Sequence, residues 1–206
     1  MVETYNHDRA TIVVWQRTKK GNDCCGDAHV VVNQDEYTLC AVVDGLGSGQ
    51  GASESALAAV QTIKEHAAEN LPTIMERCNE SLFSKRGAVL TILKIDYLQQ
   101  HIKYTNIGNV CFHLCAPSGK RVRPLPVQGY LSGKKDLTVE EKVFPYEEGS
   151  VFILHSDGVK DEKFLLYSVL DSTVTPDLFI EMLEEKGSTD DLTILVGKLS
   201  KPARSE

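Results

Sequence analysis

Short apolar, β-branched runs over Thr11 to Gln16, Ala28 to Asn33 and Tyr37 to Val43 predict three strands, arranged as a meander, that carry the chain to Asp44. The period then changes. Apolar residues at positions 56, 57, 60, 63 and 67 predict an amphipathic helix over Ala52 to Asn70, with Ser48, Ser53 or the neighbouring glycines able to cap it. Pro72, suited to a first helical turn, opens a second helix to Ser84 with Ile74, Met75, Cys78 and Leu82 along one side. Period two returns in Val89 to Tyr97, His101 to Ile107, Val110 to Ala116, Lys142 to Tyr146 and Val151 to His155. Turn signals at Gln99-Gln100, Gly108-Asn109, Ser118-Gly119 and Glu148-Gly149 make these successive antiparallel strands. A third helix is expected over Pro176 to Lys186, burying Leu178, Phe179, Met182 and Leu183, and a last strand over Leu192 to Leu199. This order predicts an α+β sandwich rather than the strict alternation of a doubly wound parallel sheet. Pro124 to Leu137, with two prolines and two glycines, reads as a loop near the active face or a partner surface.

Two of these strands end in Asp-Gly, at Asp44-Gly45 and Asp157-Gly158. Asp-Gly after a strand is most often a hairpin turn, yet neither pair leads directly into another strand. Gly26-Asp27 precedes the second strand and Asp190-Asp191 the last. A single Asp beside Gly is usually a turn or cap residue. Aspartates at four separate strand ends are a different signal, because hard divalent cations take oxygen ligands from several elements at once.

With 206 residues, 42% apolar and 25% charged, the chain has the make-up of one globular domain. A net charge of −7 opposes sustained contact with nucleic acid or anionic lipid. No apolar run approaches the roughly 20 residues that span a bilayer, and Met1 to Arg9 lacks a signal-peptide core, so a cytoplasmic protein is expected. Among the six cysteines, Cys111 and Cys115 flank His113 at strand spacing. Those three positions share one face and cannot surround a zinc ion without ligands from elsewhere, so the thiols are read as small apolar side chains. Cys24-Cys25, beside Asp27, is a candidate oxidation-sensitive spot. His29 is a candidate to approach the aspartates, whereas Trp15 and His155 read as packed strand residues.

In order, Cys25-Gly26-Asp27, Val43-Asp44-Gly45-Leu46-Gly47, Arg86-Gly87-Ala88, Asn106-Ile107-Gly108-Asn109, Ser156-Asp157-Gly158 and Asp190-Asp191-Leu192-Thr193 resemble the motifs of the metal-dependent protein phosphatases, in particular the bacterial SpoIIE-like branch. The resemblance implies a four-layer αββα sandwich of two mainly antiparallel sheets flanked by helices, formed by residues 1–206 as one domain with 200–206 as a disordered tail. It implies two Mn2+ or Mg2+ ions. Asp44 would bridge them, Gly45 would add its carbonyl, and Asp157 and Asp190 would complete one ion with Asp27 beside the other. Asp191 is the alternative to Asp190. Together these ions would activate a water for in-line attack on phosphoserine or phosphothreonine, without a phosphoenzyme. The implied partners are phosphorylated regulatory proteins of the stressosome, in a negative feedback on the general stress response, met by a monomer.

Two departures from the wider family stand out. Eukaryotic members carry a histidine after Asp-Gly as proton donor, where this chain has Leu46. They also carry a phosphate-holding arginine upstream of the first aspartate, where this chain has Asn22-Asp23-Cys24-Cys25 with Lys19 and Lys20 nearby. Both changes predict weak turnover of small phosphoesters and reliance on docking to a protein. Two other readings stand beside this one: an inactive binding module on the same fold, and a nucleotide-binding anti-sigma kinase using the Gly-rich loop from Gly45 to Gly51. No Walker lysine follows those glycines.

Overall fold

The computed structural model describes residues 1–134, 137–159, 161, 162, 166 and 190–200. Two antiparallel sheets face each other. The chain runs β1 (Val2–His7), β2 (Ala10–Arg17), β3 (Asp27–Asn33), β4 (Tyr37–Gly45), α1 (Gln50–Glu65), α2 (Leu71–Ser81), β5 (Ala88–Asp96), β6 (His101–Ile107), β7 (Cys111–Cys115), β8 (Arg121–Val122), β9 (Lys142–Pro145), β10 (Val151–His155) and β11 (Leu192–Leu199). One sheet has the order β1-β2-β11-β10-β7-β8 and the other β3-β4-β5-β6-β9.

Period-two alternation sends each strand's apolar residues to the shared interior. Ile12, Val14, Cys40, Val42, Leu93, Phe112, Phe152 and Leu195 fill the space between the sheets. On the outer face of the five-stranded sheet, Leu39, Ala41, Val43, Leu90 and Ile92 meet Ala56, Ala59, Ile63, Leu71, Ile74 and Met75 of the two helices. Each fully buried Val, Leu, Ile or Met here contributes about 1.5–3 kcal/mol relative to exposure. The other sheet's outer face carries Trp15, Ile153, Leu192 and Ile194, with Leu166 packed on them. This is the α+β sandwich expected. The described residues supply both sheets and one helical layer, while the expected helix Pro176 to Lys186 and the expected tail beyond residue 200 lie outside them.

Several boundaries differ from expectation. The first three strands are not a meander, because β2 belongs to one sheet and β3 and β4 to the other. The later strands divide likewise, with β5, β6 and β9 in one sheet and β7 and β10 in its partner. Alternation tells which residues face inward but is silent on which sheet a strand joins. Helix α1 stops at Glu65, short of Asn70, and Lys94 accounts for the stop. Its ammonium lies over the Tyr37 ring and donates to the carbonyls of Ala67, Ala68 and Glu69 at 3.0, 3.2 and 3.0 Å. Those carbonyls are thereby turned away from a continuing helix. Asn70 instead caps α2, its side chain accepting from Thr73 N at 2.9 Å. No side chain caps α1, whose N-cap is Gly49.

The loop between β8 and β9 is stitched down along the edge of the site. Gly108 N donates to Val127 O, Val127 N to Asn106 Oδ1, and Ala88 and Leu131 exchange both backbone hydrogen bonds. Ser132 N and Gly133 N both donate to Asn79 Oδ1 on α2.

Candidate active site

The register of β3 and β4 sets Asp27 directly opposite Asp44. Like charges in that position repel, so the pairing has to be held by something else. Gly45 N donates to Gly26 O at 3.1 Å, closing the ladder just past the two aspartates. A Cβ on Gly45 would lie 2.0 Å from Ala52 O, so glycine is what lets α1 come down against the end of β4. Asp157 follows β10, and Asp190 and Asp191 precede β11, bringing the second sheet's strand ends to the same place. All five carboxylates line one cleft of about 560 Å³, with Leu46 and Gly47 on one side and Val127 to Tyr130 of the stitched loop on another.

Each carboxylate has its own support. Asp27 is buried, and its Oδ2 accepts from Ser156 Oγ at 2.6 Å. Ser156 Oγ in turn accepts from Thr193 N at 2.9 Å, and Gln16 Nε2 donates to Asp27 O and to Thr193 Oγ1. Asp157 Oδ2 accepts from Asn109 Nδ2 at 2.9 Å. Asp191, also buried, accepts Lys19 N at 2.8 Å through Oδ1. Asp190 stands more exposed, accepting from Asp191 N at 3.0 Å and Lys19 Nζ at 3.3 Å.

Burial, followed by the charges of Asp27, Asp157, Asp190 and Asp191, pushes the Asp44 carboxyl up to about 8. Asp27 is pushed up to about 6, mainly by burial and against the pull of its Ser156 and Thr193 hydrogen bonds. Oxygen donors crowded so closely are mutually unfavourable until positive charge enters among them. The set is all oxygen, which suits Mg2+ or Mn2+ and not a soft ion. Asp44, Asp157 and Asp190 could contribute ligands from three strand ends, with Gly45 O beside Asp44 and Asp27 across the ladder.

All the aspartates singled out from the sequence therefore converge, but His29 does not join them. It turns toward Glu3 Oε2 at 3.5 Å and Tyr5 OH at 3.4 Å, on the β1 hairpin. Nor does Cys25 have the character of a reactive thiol, since burial first, and then Asp27, push it up to about 12. His155 is buried as expected, with Nδ1 2.9 Å from Ser156 O. The supporting partners were not identified from the sequence. Ser156 and Asn109 stand inside the motifs beside Asp157 and Gly108, but nothing in a linear pattern states that one would reach Asp27 and the other Asp157. The role of Lys19, whose backbone holds Asp191, has no sequence signal.

The family model of Stage II sporulation protein E (SpoIIE) matches residues 34–200. The chain is 36% identical over 200 residues to the phosphoserine phosphatase RsbX of Bacillus subtilis (strain 168), covering 97% of this chain and all of that one. A crystal structure of RsbX in complex with magnesium superposes with a TM-score of 0.86 at 38% identity, covering 97% of this chain and 100% of the other. A chain from work on the bacterial stressosome, as a modular system adapted to control secondary messenger signalling, gives a TM-score of 0.83 at 25% identity over 92% and 99% of the two chains. Convergent strand-end carboxylates, two facing sheets and matches along nearly the whole length agree: this chain belongs to the SpoIIE family of metal-dependent protein phosphatases.

Proposed function

We propose that this chain is a metal-dependent phosphoserine/phosphothreonine protein phosphatase that acts on phosphorylated regulatory proteins of a stressosome, as a negative feedback on a general stress response. The observation that carries this reading is the convergence of Asp27, Asp44, Asp157, Asp190 and Asp191 on one cleft where the two sheets meet. Residues 1–206 act as one phosphatase domain, working as a cytoplasmic monomer. Among the described residues no helix is long and apolar enough to cross a membrane. With a net charge of −7, neither nucleic acid nor anionic membrane is a fitting partner.

Asp44, Gly45 O, Asp157 and Asp190 hold the two Mg2+ or Mn2+ ions in this reading, with Asp27 beside one of them. Asp190 is preferred to Asp191 because the family resemblance puts the ligand first in this pair, and it is also the less buried of the two, although both meet Lys19. The ions supply Lewis-acid activation of water and charge neutralisation at the phosphoryl group. The protein's own contribution is positioning. Ser156 and Gln16 fix Asp27 across the sheet junction, and Asn109 turns Asp157 into the cleft. Leu46 lines the cleft where a proton donor could stand, so the chain offers no side-chain acid at that point. Val127 to Tyr130, pinned to β5 and β6, form a wall that a protein substrate meets beside the phosphoserine. Binding energy from such remote contacts can be used to orient the reacting group.

The test incubates the purified chain with phosphorylated stressosome proteins in manganese or EDTA, alongside Asp44→Ala and Asp157→Ala. Phosphate release is expected with manganese and lost in EDTA and in both variants. Release undiminished in EDTA or in both variants overturns the two-ion scheme.

A further inference from the structure

A second constellation lies on the outer face of the six-stranded sheet, behind the carboxylate cleft. Register places His155 of β10 opposite Cys111 of β7, and Glu162 reaches in from the segment after Asp157. A thiol sulfur, an imidazole nitrogen and a carboxylate oxygen of these three residues all lie within 4.8 Å of one another. Cys111 Sγ is 3.8 Å from Glu162 Oε1. Around a tetrahedral zinc ion, usual bond lengths put sulfur and oxygen ligands about 3.5 Å apart, so little movement separates this arrangement from ligation.

The histidines supply the decisive observation. His155 is 1% exposed, and its Nδ1 can approach the Ser156 carbonyl oxygen at 2.9 Å only as a donor. In the neutral ring Nε2 then carries the lone pair, and that buried atom has no hydrogen-bond partner among the described residues. A ligating histidine is commonly held in this way, its second nitrogen donating to a backbone carbonyl. His113 stacks on His155 with centroids 5.6 Å apart, and its buried Nε2 is likewise unpartnered, 3.8 Å from Glu162 Oε2 and beyond hydrogen-bond reach. Arg123 Nη2 holds Glu162 at 2.9 and 2.8 Å from its two oxygens, orienting the carboxylate toward the pair of rings.

We propose that Cys111, His155 and Glu162 form a binding site for one zinc-class divalent ion, distinct from the magnesium or manganese cleft, with His113 beside its fourth position. The sulfur, nitrogen and oxygen donors suit zinc or cobalt and disfavour magnesium, the reverse of the preference of the all-oxygen aspartate set. Binding deprotonates the Cys111 thiol and releases that proton to solvent, leaving thiolate and carboxylate to balance the ion's two charges. The strand-spaced Cys111 and His113 lacked only ligands from elsewhere, and β10 and Glu162 bring them. The site also adjoins the chemistry. Cys111 lines the carboxylate cleft, and its sulfur lies 3.5 Å from the carbonyl oxygen of Asn109, the residue that holds Asp157.

The test titrates Co2+ into the full chain in excess Mg2+, which occupies the carboxylate cleft. A near-ultraviolet thiolate-to-cobalt band saturating at one equivalent, and removed by one equivalent of Zn2+, is expected. Cys111→Ser is expected to abolish the band, and the half-exposed Glu162→Gln, which leaves the buried residues in place, to weaken Zn2+ binding about ten-fold or more. Asp44→Asn should retain both band and affinity. Absence of the band in the wild-type chain, its survival in Cys111→Ser, or its loss in Asp44→Asn overturns the proposal.

Discussion

Ser156 Oγ donates to Asp27 Oδ2 at 2.6 Å although 129 residues separate the two in the chain. The same oxygen accepts Thr193 N, so one hydroxyl ties the ends of β3, β10 and β11 together across the two sheets. Hydrogen bonds to a charged partner contribute about 1.5–3 kcal/mol, and a buried carboxylate left without one loses that amount. Ser156→Ala is therefore expected to lower unfolding free energy by about 2 kcal/mol in urea titrations. Phosphatase activity should fall with it even where the protein is fully folded, because Asp27 loses its anchor.

The crowded carboxylates predict a pH dependence for the metal-free protein. Asp44 is raised to about 8 and Asp27 to about 6, while both titrate near about 4 in an unfolded chain. Between those limits the folded state holds protons that the unfolded state has released. Their stabilising contribution is thus fully present below pH about 4 and is lost as pH rises through about 6 and 8. In EDTA, the Tm of Asp44→Asn should exceed that of the wild type by a margin that grows from pH 5 to pH 8 and then levels off. Saturating Mg2+ should raise the wild-type Tm most at the alkaline end. A margin independent of pH would contradict this account.

Gly45 carries a steric demand that no side chain can meet. A methyl group there would overlap the Ala52 carbonyl, forcing α1 away from the end of β4. Gly45→Ala should cost at least about 1–3 kcal/mol of stability, the usual range for overpacking. Its effect on turnover should be larger than its effect on stability, because the displaced strand end carries Asp44. Chemical denaturation and phosphate release measured on one preparation separate the two.

The stitched loop should matter more for proteins than for small molecules. Tyr130 lies at the cleft and is 52% exposed, a large ring with no core to serve. Tyr130→Ala is expected to lower kcat/KM for a phosphoprotein about ten-fold, the effect of losing about 1.4 kcal/mol of contact. Turnover of p-nitrophenyl phosphate should fall by much less. Equal losses on both substrates would assign Tyr130 to the phosphate site instead of a docking wall.

The aspartates were legible in the sequence because a strand running into Asp-Gly and then failing to make a hairpin is a local pattern. Both helices were legible for the same reason, from their 3.6-residue period and Pro72. What escaped was non-local. Val2 to His7 is a strand whose burial alternates between exposed and half-buried, so too little apolar signal marks it, and it forms by pairing with β2. Helix α1 ends where Lys94, on a strand 29 residues beyond Glu65, collects its trailing carbonyls. The assignment of strands to sheets is set by crossings such as Gly108, where a Cβ would overlap Val89 and only a bare backbone can turn from β6 toward β7. Hydrogen-bond partners such as Ser156 with Asp27 depend on that assignment and could not precede it.

The pairing of β2 with β11, residue 10 against 199 through 17 against 192, sets a timetable for synthesis. On the ribosome, β3 to β6 and the two helices can associate as soon as they emerge, since their contacts are close in sequence. The strand that receives both β2 and β10 emerges after every other described strand, and until then the first hairpin lacks its neighbour in the sheet. Such long-range closure is slow and leaves strand edges open meanwhile. A nascent chain therefore cannot assemble the carboxylate cleft until β11 has emerged, which ties the birth of activity to the arrival of a single strand.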